Sequence, residues 1–184
     1  MHIRRVRAAD GPIRRYMEEL WLPYRRELGE VVESQGLSSE FDIETEIEWH
    51  IDRFETADSR LWVALDDVDD STTPLEEIDA IFAGFISVDL ETAPSAFDWP
   101  DRLVIGDFYV RELYRGAGLA DQLVARAVQS AREDDISQRG NSGTSGYGRQ
   151  LQQAYARIHG LKAVALRCAP YNPVNQWVAS FPTL

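Results

Sequence analysis

Lysine is almost missing from this chain: Lys162 is the only one among 19 basic residues, and arginine supplies the rest. Cysteine is as scarce. Cys168 stands alone, which excludes an intramolecular disulfide, and no Cys and His residues are spaced to hold a structural zinc. A reducing compartment suits such a chain. No stretch approaches the roughly 18 consecutive apolar residues of a membrane helix. The start Met1-His2-Ile3-Arg4-Arg5 has no apolar secretory segment, so a cytoplasmic location is expected. Positive charge is in deficit overall, with 31 acidic residues giving a formal net charge of −12. Such a field repels nucleic-acid phosphates and anionic lipid, and no basic patch offsets it, so neither nucleic acid nor membrane is expected as a partner. Gly-Lys-Ser and Gly-Lys-Thr are also missing, which removes a Walker-type nucleotide site.

What is present suffices for one domain over 1–184, since 44% of the residues are apolar and a chain of this length buries a sizeable core. The acid excess looks like that of proteins from salt-loving archaea, whose carboxylates keep them soluble in brine. His2 to Arg7 reads as a strand. Past Asp10-Gly11-Pro12, the apolar residues Ile13, Met17, Leu20 and Trp21 recur at helical spacing, and a second amphipathic helix begins near Phe41 with Ile43, Ile47, His50, Ile51 and Phe54 on one face. Strands follow at Leu61 to Leu65, Ile81 to Val88 and Leu103 to Val110, the first two separated by an acidic loop from Asp66 to Glu77. Leu119, Leu123, Ala127 and Ala131 then mark a helix. The order is β-α-α-β-β-β-α. A Gly/Ser-rich stretch from Ile136 to Gly148, a helix from Arg149 to Ile158, a strand from Leu161 to Cys168 and a helix near Val174 to Ser180 complete the reading.

The chemistry concentrates where the strand ending Asp107-Phe108-Tyr109-Val110 runs through Arg111-Glu112-Leu113-Tyr114 into Arg115-Gly116-Ala117-Gly118-Leu119-Ala120 and a long helix. Helix N-terminal N–H groups lack intrahelical partners, and glycines let an anion approach the backbone closely. Arg115 adds a positive charge. A third glycine does not follow Gly116-x-Gly118 at the dinucleotide spacing, and the strand comes after hairpin-like strands rather than opening the chain, which argues against a Rossmann unit.

Arg115-x-x-Gly118-x-Ala120 after a strand ending in Val resembles the acyl-CoA signature of the GCN5-related N-acetyltransferase (GNAT) family, and the element order is similar from His2 to about Asn175. The resemblance implies an α+β fold, layered α/β/α, with a mixed but mostly antiparallel sheet, a splayed strand pair and helices on both faces. It implies an N-acetyltransferase that moves an acetyl group from acetyl-CoA, its acyl-donor co-substrate, to a primary amine in a ternary complex, without a metal. Phe108, Tyr109 and Val110 would offer backbone to the acyl and pantetheine part, with the Val110 N–H on the thioester carbonyl. Arg115, Gly116, Ala117, Gly118, Leu119 and Ala120 would cradle the pyrophosphate, and Asn172 would match the asparagine that follows the family's next strand.

Three departures are visible. Gly118 to Asn172 spans 172 − 118 = 54 residues where the family usually has about thirty, which points to an insertion at about 135–159. No Tyr occupies the helix after Asn172, where the family commonly places a proton donor for the thiolate. The chain runs to Leu184 without the usual closing hairpin, so a homodimer completing the acceptor side is expected. Gly146-Tyr147-Gly148-Arg149 echoes the signature, but no strand delivers it.

Amine acylation needs a base for the acceptor's proton and a donor for the oxyanion. Asp107, on the same face as Tyr109, is the candidate base, and is equally readable as a structural acid. Tyr109 and Tyr171 are candidate proton donors that also suit packing roles. Glu112 lies nearer the phosphates. Cys168 reads as core, and His2, His50 and His159 are too scattered for a metal, with His50 suited to helix packing. A non-catalytic acyl-CoA-binding sensor or partner subunit remains the alternative.

Overall fold

The computed structural model describes residues 1–56, 58–66, 72–91, 96 and 102–138. The elements expected at 149–180, with Asn172, Tyr171, Cys168 and His159, lie outside them. Four strands, β1 (His2–Arg5), β2 (Ser59–Asp66), β3 (Ile81–Glu91) and β4 (Arg102–Val110), form an antiparallel sheet in the order β1-β2-β3-β4. Helices α1 (Asp10–Tyr16), α2 (Leu22–Val31) and α3 (Ile43–Glu55) cover one face, and α4 (Leu119–Gln138) covers the other. The mixed α+β architecture with helices on both faces is as the sequence implied. Because β2 and β3 are covered on both sides, they read as nearly unbroken apolar runs rather than as alternating ones.

Arg15 and Arg60 are among the side chains that tie the layers. Arg15 on α1 donates to the carbonyls of Leu75, Ile78 and Ala80 at 2.6, 2.6 and 2.8 Å, which fixes the approach to β3. Arg60 on β2 holds Ser130 of α4 through its Oγ at 2.5 Å and its carbonyl at 3.2 Å. At the start of α3, the carboxylate of Asp42 accepts the Thr45 N–H at 2.9 Å and so satisfies a donor the helix leaves open. His50 is buried on α3 as a packing residue, as expected.

The segment joining α1 to α2 shapes the site. Met17–Trp21 is a wider π-type turn in a helical run that continues from Asp10 to Val31. Pro23 supplies the physical reason, since it has no N–H to give the carbonyl four residues back, and the run relaxes by widening a turn. That carbonyl belongs to Glu19, and it is taken instead by the Arg111 guanidinium just past β4. A defect in one helix is thus used to anchor the end of the strand that carries the site.

Candidate active site

β4 departs from regular pairing at its middle. Ile86 faces Phe108 but Val88 faces Ile105, so Gly106 and Asp107 together stand opposite Ser87. This is a β-bulge. The displaced Asp107 N–H donates to Ser87 Oγ at 2.8 Å, so the hydroxyl replaces the lost strand partner. A Cβ at Gly106 would lie 2.9 Å from that same Oγ and 3.0 Å from Arg53 Nη2, which is why a residue without a side chain occupies the bulge. The bulge turns Asp107 toward the helices α1 to α3, where Tyr24 of α2 donates to its Oδ1 at 3.1 Å. Asp107 and Tyr109 therefore share a face, as expected.

Beyond the bulge the pairing settles which backbone groups are available. Arg111 N–H donates to the Ala83 carbonyl at 2.9 Å, while Val110 faces Gly84 and Phe108 faces Ile86. Residues 111 and 109 are then the hydrogen-bonded positions. The N–H and C=O groups of Phe108 and Val110 point away from β3, toward an edge that has no partner among the described residues. The Val110 carbonyl shows this directly, because it accepts Arg115 Nε at 2.8 Å.

After Val110 the chain makes a short 3₁₀ turn, Glu112–Tyr114, closed by the Arg115 N–H on the Glu112 carbonyl at 3.1 Å. Tyr114 Oη donates to Asp66 Oδ2 at 2.8 Å, pinning the turn to β2. The exposed segment Arg115-Gly116-Ala117-Gly118 then leads into α4. Gly116 and Gly118 have φ of +80° and +77°, a region L residues with side chains rarely enter, and among the described residues a Cβ at either would meet nothing within 4 Å. The glycines are required by backbone shape, and no described residue fills the space beside them. The N–H groups of Leu119 and Ala120 lie in the first turn of α4 and have no intrahelical acceptor.

One residue of the site was missed in the sequence. Glu27 of α2 accepts the Tyr109 hydroxyl at 2.5 Å through Oε1 and Arg115 Nη2 at 2.7 Å through Oε2. Burial opposes its charged form, but these two hydrogen bonds and the charge of Arg115 outweigh it and hold its carboxyl below the usual range. The Tyr109 hydroxyl responds in the opposite sense: burial, then the bond to Glu27, pushes it up to about 12. The structure thus brings Asp107, Tyr109, Val110 and Arg115 together against α2, with 116–120 as the adjoining turn. Glu112 is exposed at the edge of that turn. His2 and His50 lie on β1 and α3, apart from this group, and no cluster placed to hold a metal ion occurs among the described residues.

The antiparallel sheet between helical layers thus carries a bulged strand whose outer edge, unpaired among the described residues, lies beside a Gly-rich helix start. The sequence pattern of the acetyltransferase (GNAT) family matches residues 15–161, and the chain belongs to that family; it is an acyltransferase. Among solved structures, a tetramutant of the BH1408 protein from Bacillus halodurans is similar at 12% identity, over 94% of this chain and 99% of that one, with a TM-score of 0.54. An acetyltransferase from Vibrio fischeri is similar at 18% identity, over 72% of this chain and 88% of that one, with a TM-score of 0.46. The aminoglycoside 6'-N-acetyltransferase AAC(6')-IG from Acinetobacter haemolyticus is similar at 13% identity, over 94% and 98%, with a TM-score of 0.46. The first of these supports the fold. No curated protein sequence matches the chain.

Proposed function

We propose that the protein transfers an acetyl or similar acyl group from acetyl-CoA to a primary amine, directly and within a ternary complex. The observation that carries this reading is the meeting, at one end of β4, of outward-facing backbone groups at Phe108 and Val110 with the open turn at Gly116 and Gly118. The fit is chemical as well as spatial. Acetyl-CoA supplies the activated thioester, and this chain supplies what a thioester and a pyrophosphate need.

In this reading the Val110 N–H holds the thioester oxygen as it gains charge, a fixed donor that needs no reorganisation. The N–H groups of Gly116 to Ala120 and the Arg115 guanidinium hold the phosphates, where α4 presents its positive end. Phe108 and Tyr109 line the pantetheine path, and Asn172 contributes from the part of the chain beyond the described residues. Asp107 takes the acceptor's proton, directly or through a water, from the face where Tyr24 orients its carboxylate. Tyr109 directs its hydroxyl proton to Glu27 and yields it reluctantly, so the departing CoA thiolate is protonated by the proton Asp107 has taken from the amine, or by solvent, rather than by Tyr109.

The same reading takes 1–184 as one domain with an insertion at about 135–159, working in the cytoplasm of a salt-adapted cell, alone or as a homodimer. The charge of −12 supports the salt adaptation and speaks against nucleic acid and anionic membrane as partners. No helix among the described residues is long and apolar enough to cross a membrane. Thiol release from acetyl-CoA, followed with a panel of primary amines in dilute and in molar salt, tests the proposal. Release that requires both protein and amine is expected. Binding of acetyl-CoA without release for any amine in the panel would contradict it.

A further inference from the structure

Glu27 places a negative charge beside a turn suited to bind negative charge. Its Oε2 lies 2.7 Å from Arg115 Nη2, and its Oε1 accepts the Tyr109 hydroxyl at 2.5 Å. Arg115 is held from another side by the Val110 carbonyl at 2.8 Å, and its guanidinium stands 5.7 Å from the centre of the Tyr109 ring. The cation that leads into the Gly116–Gly118 turn is therefore already paired. Phosphates bound at that turn and the Glu27 carboxylate would compete for the same charge.

Two features make the exchange easy. The side chains of Arg115 and Glu27 are 45% and 47% exposed, so solvent and salt screen the pair and little is lost on breaking it. Glu27 also keeps the Tyr109 hydroxyl as a partner, and its outer oxygen can be rehydrated once Arg115 leaves.

We propose that Glu27 is a built-in counterion of the phosphate cradle: the donor's phosphates displace it from Arg115, and its return to Arg115 helps expel the CoA product. The inference rests on the acyl-CoA reading of the turn. It opposes a different role for the same contacts, in which Glu27 braces Arg115 in its working position. The two roles differ in sign, because removing a competitor tightens phosphate binding and removing a brace weakens it.

Calorimetric titration of acetyl-CoA into wild type and Glu27→Gln separates them, run at the lowest salt at which both give native circular dichroism. Glu27→Gln retains an oxygen for the Tyr109 hydroxyl and removes the charge. The expected result is binding about two- to fivefold tighter in the variant, the measure of an exposed ion pair. The gain should shrink in molar salt and vanish in an Arg115→Gln background. Glu27→Ala, which also drops the Tyr109 contact, should shift affinity in the same direction. Unchanged or weaker binding in Glu27→Gln, beside a wild type that binds, overturns the counterion role and leaves the acyl-CoA site standing. A gain that persists in the Arg115→Gln background overturns it as well. No binding of acetyl-CoA to wild type removes the site itself.

Discussion

At Asp107 a single carboxylate is positioned by groups from two directions: Ser87 takes its backbone N–H, and Tyr24 donates to its side chain. Replacing it with Asn keeps the shape and removes the proposed base. Asp107→Asn should lower turnover by about 10²-fold or more while leaving acetyl-CoA affinity nearly unchanged, as steady-state kinetics beside calorimetry would show. Unaltered turnover would move the base to water or another residue. His50 makes a second case at this scale. It is 2% exposed among the rings of Tyr16, Trp21, Trp49 and Phe54, and among the described residues neither ring nitrogen has a hydrogen-bond partner. Burial, then the charge of Arg53, pushes its pKa down to about 3, and the Glu46 carboxylate 3.6 Å from Nε2 does not offset this. A folded-state value below the unfolded one, near 6.5, means that the unfolded chain takes up the proton first. The stability tied to neutral His50 is therefore complete above about pH 6.5 and is lost as pH falls toward 3, at up to about 1.4 kcal/mol per pH unit. Urea unfolding at pH 7 and pH 4.5 should show that slope, and His50→Phe should flatten it. Parallel profiles for the two proteins would contradict the assignment.

Among the elements, β4 depends on one hydroxyl for its bulge. Ser87 is 1% exposed, and without its Oγ the Asp107 N–H would be left in the sheet with no acceptor. Ser87→Ala should lower stability by about 1–3 kcal/mol and also slow transfer, because Asp107 loses its backbone anchor. Chemical denaturation and turnover assays check the two halves, and a variant as stable and active as wild type would remove the bulge from the account. Neither the bulge nor the π-type turn was expected from the sequence. Strands at 61–65, 81–88 and 103–110 were legible because apolar runs bounded by turn residues mark them, and each lies inside an observed strand. Arg115-x-x-Gly118-x-Ala120 stood out through its resemblance to the family signature; the positive φ of Gly118 is a separate finding of the structure. Glu27 carried no such mark. It sits 88 residues from Arg115, and only folding brings them together. For the π-type turn the signal was present in Pro23, a residue without an N–H inside a helical pattern, whereas the bulge depends on cross-strand register, which no local pattern encodes.

For the whole molecule, the net charge of −12 sets the conditions under which every other test must be run. Neighbouring carboxylates such as Asp66-Asp67 and Asp69-Asp70 repel one another, and at 1 M salt such repulsion is screened within about 3 Å. The melting temperature should rise from dilute buffer to molar chloride, and a flat response would argue against salt adaptation. The central claim, that the turn following β4 and not its echo at Gly146-Tyr147-Gly148-Arg149 holds the donor, belongs to this scale because it makes one place in the molecule responsible for binding. Gly118 has φ of +77°, so valine there strains the backbone and also fills space that no described residue occupies. The most direct measurement is calorimetric titration of acetyl-CoA into Gly118→Val and Gly148→Val, in molar salt. No detectable binding to Gly118→Val and near wild-type affinity for Gly148→Val are expected. Normal binding to Gly118→Val with binding lost in Gly148→Val would contradict it.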